Sequence, residues 1–159
     1  MVGFVMIVVL VAIVSVIFLG ISFRSGSEES ARDSSEIHQF LDSMMEYTTE
    51  CALRYEPAYS QLNELIKECD ENSATMCING QEVCDVAEED IGMILGASFV
   101  VGEEAKIKGY TFNSAYTSGE IKNEIFNISE GSCENSYDGA ENVISALPGV
   151  ITSSLKICS

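Results

Sequence analysis

The strongest constraint on this chain is an uncharged apolar segment at residues 4–23. It contains no proline, and fifteen of its twenty side chains are Val, Ile, Leu or Phe. As a helix rising about 1.5 Å per residue, it would be about 30 Å long, the hydrocarbon thickness of a bilayer. At roughly −0.3 to −0.6 kcal/mol for each such residue, it favours lipid by about −5 to −9 kcal/mol. The sequence therefore predicts an apolar spine helix that needs lipid or protein on every side.

The segment lacks the features of a cleaved secretory signal. No Lys or Arg precedes it, its apolar core is long, and no A-x-A cleavage site follows before Arg24. We therefore expect the segment to be retained. The missing basic residues leave two interpretations open: orientation in the membrane depends on another feature, or a short basic leader has been removed ahead of Met1.

The charge of the chain is concentrated after this segment. All 25 acidic residues lie beyond residue 27, and the formal net charge is −17. Nucleic-acid binding requires a basic surface and is not expected. The acidity favours solubility; attraction of divalent cations and adaptation to strong salt are the alternatives. The remaining residues, about 135 of them, suffice for one modest domain.

Six cysteines follow the apolar segment. Their even number beyond a membrane-type segment predicts three disulfides in an oxidising exterior, although six cysteines allow fifteen connectivities. Zinc is the weaker interpretation, because no Cys-x-x-Cys pair occurs and His38 is the only histidine. Asn127-Ile128-Ser129 is a glycosylation sequon, which agrees with an external domain. From the elements expected to be neighbours, the predicted bridges are Cys51–Cys84, Cys69–Cys77 and Cys133–Cys158.

Helices are predicted in the first part of the domain. From Glu36, apolar residues recur with a 3.6-residue period that stops before Pro57, and Pro57 suits the first turn of a second helix. Asn79-Gly80 predicts a turn. Acidic residues near the start of the third helix favour the positive end of its dipole, which explains them without a metal ion. The neck at residues 25–35 is either a flexible linker or a solvated helix. The predicted helices span residues 36–55, 57–69 and 84–98.

Strands are predicted after Gly102, where β-branched and aromatic residues alternate with Gly, Ser and Asn. Thr117-Ser118-Gly119 is typical of a hairpin connection, residues 132–149 are predicted to be a long loop, and Pro148-Gly149 marks a turn. Helices followed by a small antiparallel sheet give an α+β head with a thin core that disulfides would stabilise. The predicted strands span about residues 106–116, 120–129 and 150–158; residues 1–35 are spine and neck, and residues 36–159 are the head.

Nothing in the sequence indicates catalysis. His38 lies beside an apolar face without a nucleophile partner, and the GxSxG, HExxH, P-loop and GxGxxG motifs do not occur. Acidic residues are so frequent that chance pairs carry no information. We expect a non-enzymatic protein without catalytic, cofactor-binding or metal-binding residues.

Two functional classes remain, and they differ in what surrounds the apolar helix. One is a single-pass anchored envelope or receptor-like protein; the other is a filament subunit whose helices leave the membrane and bundle together. Lipid-spanning helices often carry aromatic anchors and basic residues at their ends. This segment has no Trp or Tyr at either border and a single Arg24. The pattern favours a helix whose tip is buried in a bundle.

The chain resembles the type IV pilin superfamily, in particular the archaeal pilin-like filament subunits. The resemblance rests on the apolar start MVGFVMIVVLVAIVSVIFLG, the amphipathic stretch at residues 37–55 and a disulfide-bearing C-terminal domain with strands. It implies a basic leader removed by a prepilin peptidase, an assembly machinery, and a filament core made of residues 1–23 and joined to the head by residues 36–55. The implied core-helix residues are Phe4, Val8, Val11, Ile13, Val16, Phe18, Leu19 and Phe23.

We therefore expect a homo-oligomeric extracellular filament on the cell surface. Its subunits would be membrane-inserted before assembly, and the acidic head, with Asn127 as a candidate glycan acceptor, would form the outer surface for adhesion or contact. The alternative is the single-pass anchored protein.

Overall fold

The structure of the chain is a computed structural model that describes residues 27–102, 104–133 and 136–159. The predicted spine at residues 4–23, with its core-helix residues, lies outside this range. Within the described residues, no helix is long and apolar enough to cross a membrane. The elements are α1 (Ser27–Met45), β1 (Thr48–Ala52), β2 (Tyr59–Gln61), α2 (Leu62–Glu71), α3 (Val83–Ser98), β3 (Gly109–Ser118), β4 (Ile121–Gly131), β5 (Tyr137–Ala146) and β6 (Gly149–Cys158).

The compact unit Asp33–Ser159, called the head below, is α+β with helices, antiparallel sheets and three disulfides. This confirms the predicted fold class of the head. The unit starts close to the predicted boundary at Glu36. The described part of the neck, from Ser27, is helical rather than a flexible linker.

Helix α1 follows the apolar period of the sequence, but its predicted continuation to Tyr55 is wrong. It ends at Met45, and the chain enters β1 within a few residues. In β1, Thr49 is buried, and its hydroxyl donates to the Ser60 carbonyl oxygen on β2 at 2.9 Å. Cys51 is expected to be buried in a helix and in a strand alike, so the periodicity of the sequence did not distinguish the two structures. Pairing with β2 makes the segment a strand. The buried side chains of α1 are Ile37, Leu41, Met44 and Met45.

Helix α2 begins at Leu62 rather than at the predicted Pro57. The Glu56–Pro57 peptide bond is cis, and Pro57 lies in the turn that joins β1 to β2. The first turn of α2 is capped where the Gln61 backbone N–H donates to the Glu64 carboxylate at 3.3 Å. The proline therefore serves a hairpin-like turn instead of a helix start.

Helix α3 confirms the predicted third helix with a difference of one residue at its start. The turn predicted at Asn79-Gly80 is also confirmed, since Gly80 has a φ of 86° and its N–H donates to the Cys77 carbonyl oxygen at 2.9 Å. Glycine adopts this left-handed conformation without steric cost. The buried face of α3 consists of Val83, Val86, Ala87, Ile91 and Leu95.

The main sheet has the strand order β4-β3-β6-β5, with all neighbours antiparallel. Strands β3, β4 and β6 confirm the three predicted strands with shifted ends, and the hairpin after Thr117 is confirmed because Ser118 pairs with Ile121. The loop predicted at residues 132–149 is wrong, because it contains β5. The face of β5 turned towards the helices carries Ala140 and Asn142, and such small and polar residues hide the strand period from a hydrophobic pattern.

The core lies between the helices and one face of the main sheet. Phe112 on β3 and Leu155 on β6 are register partners, and both are fully buried. The next inward pair is polar: the Ser114 and Ser153 hydroxyls lie 3.0 Å apart and satisfy each other. Strands β3 and β6, at the centre of the sheet, therefore supply the apolar centre of the core. Among the described hydrogen bonds, they also supply the one pair of buried hydroxyls that bond to each other.

Three aromatic rings connect the layers of the head. Phe40 on α1 meets Phe99, just after α3, edge to face with ring centroids 5.0 Å apart. Phe99 in turn lies 6.0 Å from Tyr110 on β3. Such pairs contribute about 0.5–1.5 kcal/mol each beyond their buried area. The three rings therefore fasten α1 and α3 to the sheet.

All six cysteines form disulfides, as predicted, but two of the three pairings differ from the prediction. Cys133–Cys158 is confirmed. The predicted Cys51–Cys84 and Cys69–Cys77 are wrong; the bridges are Cys51–Cys77 and Cys69–Cys84. The reason is the strand β1: the Ile78 N–H donates to the Ala52 carbonyl oxygen at 2.9 Å, which brings Cys77 beside Cys51. Cys69 is then left to reach the start of α3.

We predict that two of these disulfides contribute unequally to stability although they close loops of nearly equal length. The sequence separations are 26 for Cys51–Cys77 and 25 for Cys133–Cys158, so loop closure contributes about 3–4 kcal/mol to each. Cys51 and Cys77 are both buried, whereas Cys133 is exposed. Cys51→Ala with Cys77→Ala should therefore lower the free energy of unfolding by roughly 1 kcal/mol more than Cys133→Ala with Cys158→Ala.

Urea unfolding followed by circular dichroism measures both losses, and the Cys133–Cys158 double variant is the matched control. Equal losses, or a larger loss in the control, would contradict the buried position of the first bridge.

Candidate functional surfaces of the head

The surface of the head is dominated by carboxylates. Lys67 forms an exposed ion pair with Glu71 at 3.9 Å, and His38 Nδ1 lies 3.1 Å from a carboxylate oxygen of Asp42. Exposed pairs of this kind contribute about 0–1 kcal/mol. In the described residues, no group of three or more His, Cys, Asp or Glu side chains is arranged to hold a metal ion. The carboxylates of the described residues therefore give the head a general negative potential rather than one concentrated site.

Asp90 on α3 differs from the other carboxylates because part of it is buried. Its Oδ2 atom has no hydrogen-bond partner among the described residues. Burial raises the pKa of Asp90 above its ordinary value of 3.8, and repulsion from Glu89 and Glu50 raises it further. The charged form of Asp90 is therefore disfavoured in the folded head. This is a local cost of the acidic composition.

Tyr110, unlike Asp90, is a neutral group whose polar atom has a hydrogen-bond partner. Its hydroxyl donates to the Glu130 carboxylate at 2.8 Å across β3 and β4. Burial and this hydrogen bond raise the pKa of Tyr110 to about 12. The phenol therefore stays protonated at physiological pH and holds the edge strand to the sheet.

His38, the only histidine of the sequence, takes part in a contact between layers. Its Nδ1 atom lies 3.1 Å from Asp42 Oδ2, and Asp42 Oδ1 accepts a hydrogen bond of 2.8 Å from Asn142 Nδ2 on β5. No described hydrogen bond joins His38 to a serine, threonine or cysteine. The arrangement links α1 to the sheet.

Asn127, the predicted glycan acceptor, is exposed on β4, which is an edge strand of the main sheet. Its neighbour Phe126 is buried, so strand alternation directs Asn127 to the face away from the core. An acceptor asparagine has to be accessible to be modified, and this position is accessible. Glycosylation at Asn127 stays a prediction.

A groove of about 610 Å³ lies between the β1–β2 turn and α2. The turn contributes two exposed aromatic rings, Tyr55 at 65% exposure and Tyr59 at 44%. Arg54 stands beside them and makes no ion pair or hydrogen bond within the described part of the chain. The facing wall is formed by charged side chains of α2, namely Glu64, Lys67, Glu68 and Glu71.

The turn that bears the tyrosines is held by backbone hydrogen bonds. The Ala58 N–H donates to the Tyr55 carbonyl oxygen at 2.9 Å, and the Tyr59 N–H donates to the Pro57 carbonyl oxygen at 2.9 Å. Cys51, at the base of the turn, is fixed by its disulfide to Cys77. One wall of the groove is therefore a turn held by hydrogen bonds and a disulfide, and the other wall is a helix whose first turn is capped.

The groove could not be found from the sequence because the predicted helices covered both of its aromatic residues. A helix at residues 36–55 placed Tyr55 on the apolar face, and a helix from Pro57 placed Tyr59 on another. The available signal was two tyrosines within two residues of Pro57, next to Arg54. That combination indicates an exposed turn as readily as two helix ends.

Comparison with known proteins gave no match. No protein-family model, no curated protein and no solved structure matches this chain.

We predict that Asp90→Asn stabilises the head at neutral pH by about 0.5 kcal/mol, a small gain because the side chain is only partly buried and solvent screens its charge. The substitution keeps the shape of the side chain and removes a charge that burial, Glu89 and Glu50 oppose. Because the pKa of Asp90 is raised on folding, its protonated form favours the folded state at low pH, and this contribution is lost as the pH rises through the folded-state pKa. The gain from Asp90→Asn should therefore be small near pH 3, below the ordinary value of 3.8, and full at pH 7.

Thermal unfolding at both pH values tests this. Glu88→Gln is the control, since Glu88 is exposed on the same helix and its substitution changes the net charge equally. A gain of the same size at both pH values would show that the charge of Asp90 is not its cause.

Proposed function

We propose that this protein is the structural subunit of an extracellular pilus-like filament. In this proposal the apolar segments at residues 4–23 of many copies bundle to form the filament core, and the acidic head forms the outer surface. The subunits are held in the membrane until assembly. The observation that carries the proposal is the uncharged twenty-residue segment, which requires an apolar environment on all sides.

Two features of the head support this proposal. The apolar side chains of helix α1 from Ile37 onward are part of the head core. A helix packed into the head at this point agrees with the amphipathic stretch on which the pilin resemblance rests. The three disulfides suit an oxidising exterior, where they persist.

The resemblance to the archaeal pilin-like subunits adds the expected processing and assembly. A prepilin peptidase would remove a basic leader, and an assembly machinery would extract the subunits from the membrane. The exposed surfaces of the head would then determine adhesion or contact with other surfaces.

We predict that Ile13→Asp abolishes filaments but leaves the subunit in the membrane. An aspartate at the centre of a span costs about 2.5–3.5 kcal/mol on an insertion scale, which is less than the roughly 5–9 kcal/mol by which the segment favours lipid. In a bundle of identical helices, the same carboxylate repeats in every copy and stays unpaired in an apolar core, which is strongly disfavoured.

Negative-stain microscopy of material sheared from cells, with immunoblots of the sheared and membrane fractions, measures both effects. Val143→Asp is the control, because Val143 is 62% exposed on the head and its substitution should leave filaments intact. Filaments formed by Ile13→Asp would contradict the proposal. A wild-type chain recovered only as single membrane-anchored subunits would instead establish the anchored alternative.

A further inference from the structure

We propose that the groove between the β1–β2 turn and α2 binds a short neutral oligosaccharide. Nothing in the filament proposal requires this activity, and the head would carry it as a monomer or within a polymer. The groove volume of about 610 Å³ lies within the range of roughly 300–1,000 Å³ that is usual for small-ligand sites.

The aromatic wall of the groove matches the apolar face of a sugar ring. Tyr55 and Tyr59, on either side of Pro57 in the sequence, are both exposed and both line the groove. The π face of an aromatic ring is negative, and the C–H groups on one face of a pyranose present weakly positive hydrogens to it. Two such rings provide a stacking surface without a deep apolar pocket.

The opposite wall matches the hydroxyl groups of a sugar, which both donate and accept hydrogen bonds. Glu64 and Glu68 are positioned because one oxygen of each accepts a bond from the head itself, from the Gln61 N–H and from the Thr75 hydroxyl. A carboxylate retains further acceptor capacity on its second oxygen. Arg54 supplies donors in a fixed fork that suits neighbouring hydroxyls.

The charges around the groove favour a neutral ligand over an ion. Three carboxylates and two cations line the groove: α2 carries the carboxylates and Lys67, and the turn carries Arg54. An anionic ligand would be repelled by these carboxylates and by the field of a chain with a net charge of −17. The same field would attract a cationic ligand, but inside the groove that ligand would be repelled by Arg54 and Lys67. A lining that offers both hydrogen-bond donors and hydrogen-bond acceptors is best suited to a neutral molecule that is rich in hydroxyl groups.

The groove is also prepared before binding. Tyr59 belongs to β2, and the turn that holds Tyr55 is closed by backbone hydrogen bonds and anchored at Cys51. Little conformational entropy is lost when a ligand enters a site whose walls are already ordered. This matters for sugars, because each of their contacts is individually weak.

The test uses the full-length chain in a zwitterionic detergent without a sugar headgroup, so that the detergent does not compete. Maltotriose, chitotriose, mannotriose and lactose are titrated as neutral probes, with sialyllactose and inorganic phosphate as anionic probes and a Lys-rich peptide as the polymeric cation. Binding is followed by calorimetry and by tyrosine fluorescence, which is readable because the chain contains no tryptophan. We expect at least one neutral probe to bind.

Variants of the groove identify the site. Tyr55→Ala and Tyr59→Ala should each raise the Kd of the neutral probe about tenfold, whereas Tyr55→Phe, which keeps the ring, should bind nearly as well as the native chain. Arg54→Gln should also weaken binding. The matched control is Tyr137→Ala, because Tyr137 is 57% exposed on β5 and should not contribute. Unchanged circular dichroism shows that each variant is folded.

Three results would overturn the inference: no binding of any neutral probe, binding of a neutral probe that Tyr55→Ala and Tyr59→Ala leave unchanged, or binding restricted to the anionic probes or the peptide. None of these results touches the filament proposal, which is scored by assembly of the native chain and of Ile13→Asp.

Discussion

The attachment of α1 to the sheet is the interaction on which the rest of the head depends. It joins the start of the compact unit to strands up to 100 residues further along the chain by two kinds of contact. The rings of Phe40, Phe99 and Tyr110 give an apolar connection, and the hydrogen bond from Asn142 to Asp42, 2.8 Å long, gives a directional one.

The high negative charge of the head opposes the stability of so small a domain. Like charges on a compact surface repel one another and destabilise the folded state, and a domain of this length has little core to offset that repulsion. Asp90 shows the conflict locally, since its carboxylate is partly buried beside Glu89 and within reach of the field of Glu50. The three disulfides act on the other side of the equilibrium, because they restrict the unfolded chain. A strongly charged head of this size therefore depends on its cystines.

The sequence predicted whether a segment is a helix or a strand better than it predicted where the segment begins and ends. Regions with strong periodicity, such as α3 and the strands β3 and β6, were recognised because local pattern and tertiary burial agree there. The errors occur where tertiary pairing decides: β1 was assigned to a helix because Cys51 is inward under both periods, and β5 was missed because Ala140 and Asn142 give no apolar alternation. The same error affected the turn, since the helix predicted at residues 36–55 also contained Tyr55. The groove was therefore hidden together with the β1–β2 turn that forms one of its walls.

The two candidate surfaces of the head lie on different layers. Asn127 is on the face of the sheet away from the core, whereas the groove is formed by α2 and the β1–β2 turn in the helical layer. The alternation of β4, with Phe126 inward and Asn127 outward, places the acceptor on the outer face of the sheet. Modification at Asn127 and ligand binding in the groove would therefore use different layers of the head.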